Sequence, residues 1–173
     1  MATAKHFVGH SFSQGGQNCA PVRLGLNDLW NVYLLPFQTA IRAGLHTVMN
    51  AYPELDGELV AASRRIMTEL LRDKLGFDGL VVSDYEAIGM IHTYHRMAAS
   101  RHEAAMLGLN AGIDVELPTV DYYGDDLRAA LDAGEIRMDL VDTAVRRHLT
   151  KKFELGLFEN PFVDEGLVQG IFE

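Results

Sequence analysis

The sequence predicts an α/β fold of parallel βα units, a half or truncated TIM-barrel-like domain with about four strands. Three observations predict it. Four short apolar runs recur along the 173-residue chain, at Ala4–Val8, Thr47–Tyr52, Gly79–Ser83 and Gly112–Leu117. Stretches with helical periodicity lie between and after them. Each run ends in residues able to do chemistry: Lys5 and His6, Asn50 and Tyr52, Asp84, and Glu116. In a (β/α)8 barrel such groups sit at the carboxyl ends of the strands. A whole barrel needs roughly 250 residues, so four units correspond to half of one. A small open α/β sheet has the same rhythm, and spacing alone does not separate the two.

The elements follow in order. The runs are short and continuously apolar or rich in Val, Leu and Ile, which suits strands buried on both faces. Asn27 to Ala43 carries Leu29, Val32, Tyr33, Phe37 and Ile41 at helical spacing and stops at Gly44. Pro36 cannot donate a helical hydrogen bond, so two helical pieces are expected there. Ser63 is a good N-cap for a helix to Leu75, which Gly76 ends. Further helices are expected over Met97 to Asn110 and Leu127 to Ala133. A last one, capped by Asp139, runs to about Lys152 with Val141, Val145, Leu149 and Phe153 on one face. Gly9–Ala20 reads as a loop that would lie over the mouth of a barrel. Its Gly15-Gly16 pair has neither the GxG spacing nor the following helix of a phosphate-binding turn.

Composition narrows the function. The net charge is −9, so neither nucleic acid nor an anionic membrane is an expected partner. No run of 18 apolar residues occurs. The single cysteine, Cys19, allows no intrachain disulfide and no CxxC site, and reads as a small buried or loop residue. Met1 to Ala4 lead straight into the first strand without a charged and then apolar leader. The compartment stays open on that reading, with the cytoplasm as the default.

Asp84 is the leading catalytic candidate. It ends the strand Gly-Leu-Val-Val-Ser, where a carboxylate can act as nucleophile, base or metal ligand. Equally, it can cap a helix near Glu86–Ile91. Lys5 and His6 are neighbours on a strand and would normally point to opposite faces. Both reach one site only if the strand ends or twists there; otherwise they are a surface lysine and a core histidine. Tyr52 can donate to a carboxylate or a sugar hydroxyl, or pack with its hydroxyl satisfied. His92, His95 and His102 lack an HExxH or comparable ligand set, so no metal site is expected. Asp121, Asp125 and Asp126 lack EF-hand spacing and read as a solvated loop or helix start.

Several stretches together resemble one family. They are Ala4-Lys5-His6-Phe7-Val8-Gly9-His10; Tyr33-Leu34-Leu35-Pro36-Phe37; and Thr47-Val48-Met49-Asn50-Ala51-Tyr52 with Leu55-Asp56-Gly57. Next come Leu70-Leu71-Arg72 and Gly76-Phe77-Asp78-Gly79-Leu80-Val81-Val82-Ser83-Asp84-Tyr85. The set ends with Ala111-Gly112-Ile113-Asp114-Val115-Glu116-Leu117 and Leu155-Gly156-Leu157-Phe158. In order and spacing they are similar to the KHF, YLxPF, VMxAYxxxDG, LLR and GFxGxVVSD motifs of glycoside hydrolase family 3.

The resemblance implies a retaining β-glycoside hydrolase, β-glucosidase-like, acting on terminal non-reducing β-D-glucosyl residues in carbohydrate metabolism. Xylosides and N-acetylglucosaminides are the family's other substrates. It implies Asp84 as nucleophile, Lys5 and His6 on sugar hydroxyls, Tyr52 beside the nucleophile and Tyr85 as an aromatic wall. Most members need no cofactor. Retention uses one carboxylate to attack and one carboxylic acid to protonate the leaving oxygen. No acid is placed here. The loop Ser13-Gln14-Gly15-Gly16-Gln17-Asn18-Cys19 carries Asn or Cys where the glucosaminidase branch has a histidine, which argues against that branch.

The expected organisation is therefore residues 1–160 as the back half of a family 3 barrel and 161–173 as a C-terminal tail. A half-barrel exposes two parallel-sheet edges, so self-association is expected. The alternative is a catalytically incomplete fragment acting as a sugar-binding or structural module.

Overall fold

The computed structural model describes residues 1–168 and 170. Of the tail expected over 161–173, residues 169 and 171–173 lie outside the described residues. The expected α/β architecture is present. Strands β1 (Thr3–Phe7), β2 (Thr47–Asn50) and β5 (Leu80–Val82) form a parallel sheet in the order β1-β2-β5. A two-stranded antiparallel ribbon, β3 (Glu54–Leu55) with β4 (Glu58–Leu59), follows β2. Asp56 and Gly57 turn it, both with positive φ. Sequence reading did not anticipate this ribbon, because two-residue strands carry no periodicity.

Gly112–Leu117 is reduced to one parallel bridge, Val82 with Val115. The reason lies in Asp114. Its Oδ2 accepts the Val81 N–H at 2.8 Å, so a side chain replaces a ladder carbonyl. The backbone still follows β5: Asp114 and Val115 N–H groups donate to the Val81 carbonyl, and Ser83 N–H donates to the Val115 carbonyl at 2.8 Å.

Pro36 has the expected effect. A π-type turn, Leu29–Tyr33, closes with Leu34 N–H on the Leu29 carbonyl, and α2 (Leu35–Arg42) starts with Pro36 in its first turn. A single helical turn, α1 (Leu26–Asp28), precedes it. Ser63 Oγ accepts the Ile66 N–H, capping the helix Arg65–Lys74, which has π-type bonding and ends at Gly76 in the left-handed region. After β5 comes α3 (Ala87–Thr93).

The helix expected from Met97 begins later, as α4 (Arg101–Ala111). Ser100 Oγ accepts the Glu103 N–H, and Glu103 reaches back to the Ala99 N–H. This reciprocal cap sets the start. Then come α5 (Leu127–Asp132) and α6 (Met138–Glu154). Arg137 occupies the cap position of α6, where Asp139 was expected, and Asp139 pairs with Arg137.

One core runs from β1 to α6. Phe7 is fully buried and meets Phe37 edge-on, with ring centroids 5.0 Å apart. That contact seats α2 on β1. Of the apolar stripe on α6, Val141 packs against the core, while Val145 and Phe153 are 50% and 62% exposed. None of the described helices is long and apolar enough to cross a membrane.

Candidate active site

Asp84 follows β5 and is 7% exposed. Its Oδ1 accepts the Tyr85 N–H at 2.7 Å. Its Oδ2 lies 3.3 Å from His6 Nε2, outside hydrogen-bond geometry, and accepts no hydrogen bond among the described residues. The capping alternative for Asp84 is not what is found. Glu86, in the left-handed region at φ 62°, precedes α3 instead.

β1 brings His6 to this carboxylate. Ala4 pairs with Val48 and Phe7 with Asn50, so β1 carries one more residue than β2 across this span. Such a bulge re-aims side chains, and this is the irregularity that the Lys5–His6 pair required. His6 is half-buried and points to Asp84; Lys5 is exposed. Burial holds the His6 imidazole below its usual pKa. The Asp84 carboxylate opposes this, while His10 and Lys5 reinforce it. The side chain that faces Asp84 is thus the His6 ring. Lys5 and His6 both line a groove of about 580 Å³ with His10, Tyr33 and Phe37.

Tyr52 stands just beyond β2. Its hydroxyl donates to the Tyr85 carbonyl at 2.8 Å. Burial first, and then the neighbouring Asp84 carboxylate, push this phenol well above its ordinary pKa. The Tyr85 ring is 59% exposed, and its backbone N–H and carbonyl both bond within the site.

Sequence analysis named Asn50 as a polar strand end without giving it a role, and gave none to His10 or Cys19. Asn50 is fully buried, and its Oδ1 accepts the Asp84 N–H at 3.0 Å. The His10 ring lies 4.4 Å from that of His6, and its buried Nδ1 has no partner among the described residues. Burial first, and then the Asp84 charge, raise the Cys19 thiol pKa. The signal for Asn50 was available: a carboxamide in an otherwise apolar strand must find partners.

The remaining candidates lie elsewhere. His92 Nδ1 pairs with the Ala98 carbonyl and His102 with Glu135. Asp121 and Asp126 hold Arg101. Glu116 accepts the N–H groups of Asp121, Tyr122 and Tyr123, which fixes the loop leading to α5. Among the described residues no group of three His, Cys, Asp or Glu is placed to hold a metal ion.

The site at the sheet's carboxyl end presents one carboxylate oxygen, Oδ2, beside His6. Comparison with known proteins shows what the chain resembles. Over 166 residues the chain is 37% identical to a β-xylosidase of Formosa agariphila, covering 92% of this chain and 23% of that protein. A β-glucosidase structure from Erythrobacter marinus superposes with TM-score 0.90 at 40% identity, covering 94% of this chain and 22% of that one. A β-glucosidase from Listeria innocua in complex with glucose superposes with TM-score 0.87 at 32% identity, over 92% of this chain and 22% of that one. The chain therefore spans about a fifth of the length of these relatives. The sequence model described as the glycosyl hydrolase family 3 N-terminal domain matches residues 1–150. The chain belongs to glycoside hydrolase family 3.

Proposed function

We propose that this chain carries the nucleophile-bearing portion of a retaining β-glycosidase that cleaves terminal β-D-glucosyl residues. The observation that carries the reading is the asymmetry of Asp84. One carboxylate oxygen is held by the Tyr85 N–H, while the other is buried, faces His6 and accepts no hydrogen bond among the described residues.

In this reading Oδ2 forms a bond to the anomeric carbon as the bond to the leaving oxygen breaks. Water then attacks the same carbon, frees the sugar and restores the carboxylate. His6 and Lys5 hold sugar hydroxyls. The Tyr52 hydroxyl steadies the backbone beyond the nucleophile, and Tyr85 presents its ring to the sugar or aglycone. The family places both β-glucosidases and β-xylosidases beside this chain, and the glucose-bound relative favours glucose. The domain reading is the back half of a barrel over 1–160. The proton donor comes from outside these residues.

Hydrolysis of aryl β-glucosides tests this. A phenolate leaves without a proton, so a dinitrophenyl β-glucoside is cleaved much faster than cellobiose. Loss of that cleavage in Asp84→Asn supports the reading, and retention of it refutes the role of Asp84.

A second reading has its own support: the chain spans about a fifth of its relatives' length. In it, the chain binds sugar without turnover. Glucose binding measured by calorimetry, unchanged in Asp84→Asn and without aryl glucoside cleavage, favours this second reading.

A further inference from the structure

We propose that Asn50 is the positioning residue that sets the direction of the Asp84 carboxylate, a role that rests on the reading of Asp84 as nucleophile. β5 ends at Val82, and the Val115 carbonyl takes the Ser83 N–H. The Asp84 N–H thus lies beyond the ladder, in a buried position. Asn50 Oδ1 accepts it at 3.0 Å, across from the end of β2. The carboxamide cannot turn around. Its Nδ2 donates to the Ala51 carbonyl at 2.9 Å, and a flipped amide would set a donor against the Asp84 N–H.

Two residues on, the Tyr52 hydroxyl donates to the Tyr85 carbonyl. The end of β2 therefore holds the backbone on both sides of the Asp84 side chain. With Cα and its neighbours fixed, Oδ1 falls on the Tyr85 N–H and Oδ2 turns to His6. A carboxylate displaced by about 1 Å from its line of attack loses on the order of a hundredfold in rate.

Two variants test this. Asn50→Ala removes the acceptor. Asn50→Asp keeps an acceptor and adds a charge beside Asp84, which raises the pH at which Asp84 ionises. Two readouts are used. The first is amide hydrogen exchange at Asp84, with the Val81 amide, held by Asp114, as internal reference. The second is covalent inactivation by dinitrophenyl 2-deoxy-2-fluoro-β-glucoside, resolved into rate and reagent affinity across pH.

In Asn50→Ala, Asp84 exchange rises about tenfold or more while Val81 stays within about twofold. The inactivation rate falls about tenfold to a hundredfold with reagent affinity unchanged. In Asn50→Asp, Asp84 protection is retained and the pH profile of inactivation moves upward. Equal loss of protection at both amides, or no loss at either, overturns the proposal, as does an unshifted profile in a folded Asn50→Asp that is still inactivated. If the wild type is not labelled at Asp84, the nucleophile reading fails. The exchange comparison then still decides whether Asn50 holds the Asp84 backbone.

Discussion

Arg72 Nη2 donates to Asp114 Oδ2 at 2.7 Å, with both side chains nearly withdrawn from solvent. The other carboxylate oxygen takes Arg147 of α6 at 2.8 Å, and Arg72 also reaches the carbonyls of Gly79 and Gly112. One carboxylate thus joins the helix Arg65–Lys74, β5, the Gly112–Leu117 segment and α6. Burial pulls the Arg72 pKa down, and Asp114 opposes that shift.

Asp114→Ala should therefore destabilise the fold by about 3–5 kcal/mol, since it leaves a buried guanidinium without its partner. Chemical denaturation at constant slope measures this. A loss below about 1 kcal/mol would show that the cluster is solvated in solution.

Acidification should weaken the fold. His6, His95 and His148 all have pKa values lowered, chiefly by burial. A lowered histidine contributes nothing against the unfolded chain well above pH 6.5, where both states are neutral. As pH falls through about 6.5 the unfolded chain takes up protons first, so stability drops. Glu58, lowered by its bonds to Ser63 and Arg65 against burial, acts in the same direction at lower pH. The melting temperature at pH 5 should lie below that at pH 7.5, and His6→Gln should flatten part of the slope.

The uncovered face of α6 should drive self-association. Val145, Leu149 and Phe153 stand in one stripe on solvent, beside the unpaired outer edge at Val115. Among the described residues no strand pairs with the outer edge of β1 either. Light scattering should give a mass above that of one chain. Val145→Glu together with Phe153→Lys should bring it down to one. A wild-type monomer at tens of micromolar would contradict this.

Tyr52→Phe should cost about 0.5–1.5 kcal/mol by removing one hydrogen bond to the Tyr85 carbonyl. It should also slow modification of Asp84 more than it weakens sugar binding. Comparing inactivation rate with reagent affinity separates the two effects.

Much of the fold was legible because burial and punctuation are local. The apolar runs at Thr47 and Gly79 became β2 and β5, Pro36 split its helix, and Gly76 and Gly112 ended theirs in the left-handed region. The α6 stripe was legible as an apolar face, but periodicity does not say what covers it. The fourth strand was legible as a run but not as a ladder, since Asp114 diverts a backbone partner. At the site, motifs singled out Asp84, His6 and Tyr52. The bulge in β1, the Asn50 bond and the separate environments of the two Asp84 oxygens depend on contacts between distant segments, which spacing does not encode.

The central claim is that Asp84 Oδ2 is the attacking atom. Labelling with dinitrophenyl 2-deoxy-2-fluoro-β-glucoside, followed by peptide mass spectrometry, tests it most directly. The account predicts one fluoroglucosyl group on the peptide containing Asp84 in the wild type and none on that peptide in Asp84→Asn. A label on another residue, or none on a folded wild-type sample, would contradict it.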